Sequence, residues 1–211
     1  MVNISVSPLI FNVCPHFAFS AIQCKVRNSP YNEELWQQIT EFSEIFASET
    51  TLNAINKLPN IFETREVYKK LGKDPNRYRP SAEALCRRIV KGIPLYQINT
   101  LVDLINLVSL KTRYSIGGFD ADKVEGDVML GVGKADEKFE AIGRGMLNIE
   151  GLPVYRDDIG AIGTPTSDEE RTKITPETTN LLMIINGNSG KNGLEEATEY
   201  AKGLLNKYTA P

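Results

Sequence analysis

Residues 98–110 read Ile-Asn-Thr-Leu-Val-Asp-Leu-Ile-Asn-Leu-Val-Ser-Leu. At 100° per residue, Asn99, Asp103 and Asn106 fall within about 60° of one another. Leucine, isoleucine and valine take most of the remaining circumference. A helix apolar nearly all round belongs inside a protein. Its carboxylate and two amides must then meet partners, because an unpaired buried polar group costs roughly 1–3 kcal/mol. Those partners are other protein groups or a ligand, and the two readings stand side by side.

Outward from this helix, the flanks differ in character. Upstream, the pattern predicts strands at residues 3–6 and 17–26, with the second alternating through Phe19, Ala21 or Ile22, Cys24 and Val26. After the turn Asn28-Ser29-Pro30, a helix capped by Asn32 carries Leu35, Ile39, Phe42 and Phe46 at helical spacing. Residues 50–57 form a short helix or irregular link, and residues 62–71 a helix ended by Gly72. Pro80 opens a further helix at its first position, with Ala82, Leu85, Cys86 and Ile89 buried and Gly92 as the stop. Downstream, strand candidates dominate at 114–116, 127–132, 138–142, 154–155, 161–164 and 181–185, before a closing amphipathic helix at 195–208. Helices in the middle with strands on both sides do not make a regular β-α-β alternation. The expected class is α+β, with packed antiparallel or mixed β layers and helices outside. One domain over residues 1–211 is expected, with a helical region at 30–92, a mainly β region at 113–186 and the closing helix at 194–208.

With 211 residues, 41% hydrophobic and 24% charged, the composition is that of a soluble globular chain with a sizeable core. Three cysteines and one histidine argue against a disulfide framework and a Cys/His zinc site, and neither metal nor cofactor is expected. No stretch approaches a membrane span, and no basic-then-apolar leader opens the chain, which points to a cytoplasmic protein. The net charge of −3 is unevenly spread: residues 65–91 carry nine basic and three acidic side chains, +6 locally and −9 elsewhere. Arg77, Arg79, Arg87 and Arg88 are therefore candidates for phosphate contact, the competing reading being the wet faces of two amphipathic helices.

Four further segments carry polar chemistry. Ser115-Ile116-Gly117-Gly118-Phe119-Asp120 pairs glycines after a strand, suiting a close ligand approach or a turn into a short helix capped by Asp120. Asp157-Asp158-Ile159-Gly160 reads as a hairpin turn with glycine in the left-handed position, since neighbouring strand residues face opposite ways and make no catalytic pair. The loop at 164–172, with Asp168, Arg171 and Thr172, either lines a pocket mouth or is solvated. Gly187-Asn188-Ser189-Gly190-Lys191-Asn192-Gly193 fails the phosphate-loop pattern twice, at Ile185 and at Asn192, and reads as a flexible connection. His16 has no ligand-spaced partner, which disfavours Ser-His-Asp and Cys-His catalysis.

Taken in order, Arg79-Pro80-Ser81, the stripe Asn99, Asp103 and Asn106, and Gly118-Phe119-Asp120 with Asp122-Lys123 resemble one family. It is the tRNA-binding and editing domain (the B-three/B-four domain) of the bacterial phenylalanyl-tRNA synthetase β subunit. Tyr155-Arg156-Asp157-Asp158 with Asp168, Arg171-Thr172, Thr175 and Thr178 adds a likeness to free-standing relatives of that domain. The resemblance spans about residues 1–208. It implies a pocket that accepts the aminoacyl end of tRNA and hydrolyses a mischarged ester in trans, serving translation fidelity. Such a site positions water with hydrogen bonds and needs no protein nucleophile.

On this reading Asn99, Asp103, Asn106, Ser115, Gly117 and Gly118 lie at or beneath the pocket, and Asp168, Arg171 and Thr172 at its rim. The expected partners are tRNA or its aminoacylated 3′ end, or an amino-acid-sized ligand, with no membrane and no DNA. The alternatives are a non-catalytic RNA- or amino-acid-binding protein and a protein-interaction module. In either case the chain lacks the domains of a complete ligase. One position departs from the synthetase pattern, where a histidine stands in place of Gly117. Its loss removes a hydrogen-bonding group and implies a larger pocket.

Overall fold

The computed structural model describes residues 1–211. Its elements run β1 (Ile4–Val6), α1 (Pro8–Val13), β2 (Ala18–Lys25), α2 (Glu33–Glu49), α3 (Leu52–Ile55), α4 (Pro59–Lys70), α5 (Ser81–Val90) and α6 (Thr100–Thr112). There follow β3 (Ile116–Asp120), β4 (Val128–Val132), β5 (Glu140–Ala141), β6 (Gly145–Met146), β7 (Pro153–Arg156), β8 (Ala161–Gly163), β9 (Asn180–Gly187) and α7 (Leu194–Tyr208). The class is α+β.

β9 organises the molecule. It pairs antiparallel with β2 on one side and β3 on the other. A second sheet runs β1-β4-β7-β8, with β1 parallel to β4 and the remaining pairs antiparallel. Because successive strand residues face opposite ways, β9 feeds two cores. Leu181, Met183 and Ile185 meet the helices, packed with Leu101, Leu104 and Val108 of α6 and with Leu35 and Ile39 of α2. Leu182 and Ile184 face the second sheet, against Phe119, Leu130, Tyr155 and Ile162. A strand buried on both sides reads as a continuous apolar run, as this one does.

Several boundaries move for identifiable reasons. α4 begins three residues earlier than the periodicity suggests, because Pro59 takes its first position. Pro80 is the cap rather than the first helical residue of α5. Asn99 likewise lies outside α6: it is the N-cap, with extended backbone, and its side-chain oxygen accepts from the Val102 N–H. The stripe's first member is thus half consumed by helix capping. Gly117 and Gly118 lie within β3 rather than in a turn, while Asp120 does cap the short helical turn that follows. At the β7–β8 turn no left-handed glycine is needed, because the Asp157 carboxylate accepts from the N–H groups of Ile159 and Gly160. The helix α1 has no counterpart in the sequence pattern; Ser7 caps it, Pro8 starts it, and Ile10 alone is buried.

Leu104, fully buried on α6, measures how tightly this helix is packed. Leu104→Ala is expected to cost about 2–5 kcal/mol, read as a lower urea midpoint at unchanged m-value.

Candidate functional site

A cavity of about 470 Å³ opens beside α6. Val102, Ile105 and Asn106 of α6 form one wall, the start of α5 contributes Ser81 and Leu85, and Ile116 and Gly118 of β3 form the base. Thr164, Ser167 and Asp168 close another side, with the segment Lys173–Pro176 beside them. Ile98 and Ile142 are the exposed apolar residues of the mouth, 53% and 40% accessible. A volume in the range of about 300–1,000 Å³ suits a small ligand.

Two glycines shape this space, each through strand alternation. A Cβ on Gly118 would lie 2.6 Å from Ile105 Cδ1 and 3.1 Å from Ile174 Cδ1, both cavity residues. Its absence lets the strand approach α6 closely. Gly117 faces the opposite side, where a Cβ would meet the Phe119 ring at 2.7 Å. The volume that a side chain would take at Gly117 is therefore filled by Phe119, and does not enlarge the cavity as the missing histidine implied.

Asp168 sits in the cavity wall with one oxygen, Oδ2, accepting from the Gly118 N–H at 3.1 Å. A Cβ on Gly163 would come within 2.8 Å of its Oδ1, so that glycine also makes room for the carboxyl. Burial pushes the Asp168 carboxyl up to about 7, with the Gly118 N–H pulling the other way. Asn106 is half-buried and also lines the cavity, and no hydrogen bond within the protein engages its amide. Asn99 lines the same space beyond its capping bond.

The remaining candidates lie elsewhere. Asp103 is 1% exposed and does not reach the cavity; its carboxylate accepts from Trp36 Nε1 at 2.7 Å and from the Ile98 N–H at 3.1 Å. Burial raises its pKa, and those two donors oppose the rise. Ser115 is buried with its hydroxyl unpartnered, and its carbonyl accepts from Asn186. Thr172 is fully buried, also with an unpartnered hydroxyl. Arg171 turns away from the cavity to make two hydrogen bonds with Asp157, at 2.9 and 2.8 Å. Burial alone would raise Asp157, but the Arg171 guanidinium and the N–H groups of Glu125 and Gly160 hold it below the usual carboxylate range. Their neighbours in sequence point to the pocket, yet the side chains of Asp103 and Arg171 are spent on internal bracing, and those of Ser115 and Thr172 are buried away from the cavity.

The basic region divides in the same way. Glu83, fully buried, pairs with Arg65 at 2.8 Å, Arg87 at 2.7 Å and Arg79 at 3.4 Å. Two of the four candidate phosphate contacts, Arg79 and Arg87, therefore neutralise one internal carboxylate. The i,i+4 spacing of Arg79, Glu83 and Arg87 is the sequence signal for this cluster. Arg77 is exposed, and Arg88 lies over the Tyr96 ring, 4.0 Å from its centroid. No group of three or more His, Cys, Asp or Glu side chains comes together as a metal site, and no helix is long and apolar enough to cross a membrane.

The profile of the B3/4 domain family matches residues 63–205, which includes every cavity-lining residue named above. The chain belongs to the B3/4 domain family. Among solved structures, it is similar to an N-terminal fragment of the phenylalanyl-tRNA synthetase β subunit from Pyrococcus horikoshii. The TM-score is 0.49 at 14% identity, over 97% of this chain and 48% of that one, so this chain spans about half the length of that fragment. A search of curated proteins returns no match.

Two outcomes follow from the carboxylates. Arg171→Met leaves the buried Asp157 unpaired and is expected to cost about 3 kcal/mol, the low end for a broken buried pair because the guanidinium is partly exposed. Since Asp157 is depressed in the folded state, its contribution is present above the ordinary aspartate pKa and is lost as pH falls through the folded value. The gap between wild type and variant should therefore narrow in acid denaturation curves. Asp168 has the opposite sign. Raised from 3.8 to about 7, it binds more protons folded than unfolded across that window, so its contribution is lost as pH rises. The Tm of Asp168→Asn relative to wild type should accordingly climb between about pH 4 and 7 and then level off.

Proposed function

We propose that the cavity receives the aminoacyl end of an aminoacyl-tRNA and promotes hydrolysis of the ester. The observation that carries this reading is the presence, on different sides of one cavity, of a carboxyl poised near neutrality and an uncommitted amide, Asp168 and Asn106. Around them, Val102, Ile105, Ile116 and Ile174 offer an apolar lining of the size an amino-acid side chain needs. Ionised, Asp168 holds the substrate's α-ammonium group or takes a proton from an attacking water; Asn106 supplies a donor for the ester carbonyl. No histidine lies in the cavity wall, and the one histidine lines a separate surface hollow with Lys191. The proposed chemistry is attack by a positioned water. Membership of the B3/4 family and the sequence blocks at residues 79–81, 99–106 and 118–123 favour an aminoacyl-tRNA over a free amino acid.

A panel of aminoacyl-tRNAs, D-aminoacyl forms included, incubated with purified protein tests this directly. At least one member should deacylate above its spontaneous rate, and Asp168→Asn should slow that reaction on the order of 100-fold. No acceleration for any member rejects the hydrolase. Saturable binding without turnover would instead support a non-catalytic binding protein, a reading favoured by Gly117 standing where the synthetase pattern has histidine.

A further inference from the structure

Outside the cavity lies a second, more open hollow of about 470 Å³. It is lined by Trp36 and Thr40 of α2 and by Pro94, Leu95, Tyr96 and Gln97 of the α5–α6 loop. Two aromatic side chains thus share one surface depression. Tyr96 is 67% exposed, far more than its size requires if packing were its purpose. The Arg88 guanidinium lies 4.0 Å from the Tyr96 ring centroid, and its Nε donates to the Pro94 carbonyl, so the loop is held in place by a cation. Trp36 is held too: its Nε1 donates to Asp103, whose other oxygen takes the Ile98 N–H. One buried carboxylate therefore fixes both the indole of the hollow and the residue at the cavity mouth.

We propose that this hollow is a nucleobase-binding site, in which an unpaired nucleotide stacks on Tyr96 beside Trp36 with its phosphate toward Arg88. The chemistry selects this ligand class over an apolar peptide. Aromatic faces give sequence-tolerant stacking, the Gln97 amide offers a donor and an acceptor to a base edge, the Thr40 oxygen, whose proton goes to the Trp36 carbonyl, adds an acceptor, and the guanidinium supplies charge for a phosphate. Its position adds a further reason, because Gln97 of the hollow and Ile98 of the cavity are consecutive residues. The inference rests on the proposed function, since a terminal nucleotide seated here would present its ester-linked aminoacyl group to the cavity.

Trp36 is the only tryptophan in the chain, so its fluorescence reports this site alone. Titration with AMP, and with a short single-stranded RNA ending in an unpaired adenosine, should quench the emission saturably. Tyr96→Ala, at an exposed position that the core does not need, should weaken both by about 10-fold, and Tyr96→Phe should leave them unchanged. Ribose 5-phosphate should not quench. Absence of quenching, equal quenching by ribose 5-phosphate, or an affinity indifferent to Tyr96→Ala would each overturn the assignment. Quenching without any ester hydrolysis would retain the base site and reject the hydrolase. Hydrolysis without quenching, at an aminoacyl-tRNA KM unaltered by Tyr96→Ala, would do the reverse.

Discussion

The burial of the Asp103 carboxylate constrains the rest of this structure most strongly. A charge at 1% exposure on a helix sealed by apolar neighbours is tolerated only when donors surround it. Here the donors come from two different places in the chain, the indole of α2 and the backbone at the entry to α6. Meeting them locks α2, α6 and the loop between α5 and α6 into one relative arrangement. The start of α6 is pinned again from the Asn28-Ser29 turn, where the Asn28 oxygen accepts from the Leu101 N–H and its amide donates to the Thr175 carbonyl. Thr175 and Ile98 both line the cavity. The cavity is therefore bounded by segments whose positions are fixed from behind.

This arrangement separates bracing from binding. Asp103, Asp157 and Glu83 are buried carboxylates fully answered by protein donors, and each ties distant segments together. Asp168 is different. It has a single backbone donor and a cavity beside it, and burial with so little compensation raises its pKa. A carboxyl left half-answered beside open space is what a ligand site requires, because the ligand supplies the missing partner. The same distinction sorts the arginines, with Arg79 and Arg87 committed to Glu83 and Arg88 placed on an exposed ring.

Much of the architecture was legible in the residue pattern. The all-round apolar helix, the Asn32 cap, the closing helix and the strand at β9 follow from periodicity and from local capping chemistry, which need only neighbours in sequence. Elements of two residues, such as β5 and β6, were legible only in part, and α1 with its single buried residue left no periodic trace. Site residues were harder to read, for a related reason. Asn99, Asp103 and Asn106 share a helical face by spacing, yet Asn99 serves partly as a cap, Asp103 is consumed by Trp36 and Ile98, and only Asn106 leaves its amide free.

Sequence alone determined that polar atoms would lie deep in an α+β protein, because composition and periodicity decide what must be buried. Which of those atoms would be answered by the protein itself was decided by contacts between segments 50 to 70 residues apart, such as Gly118 with Asp168 and Trp36 with Asp103. Hydrogen bonding is directional and short-ranged, so a residue's type announces that it needs a partner, and only the folded chain places one within reach or leaves the need open.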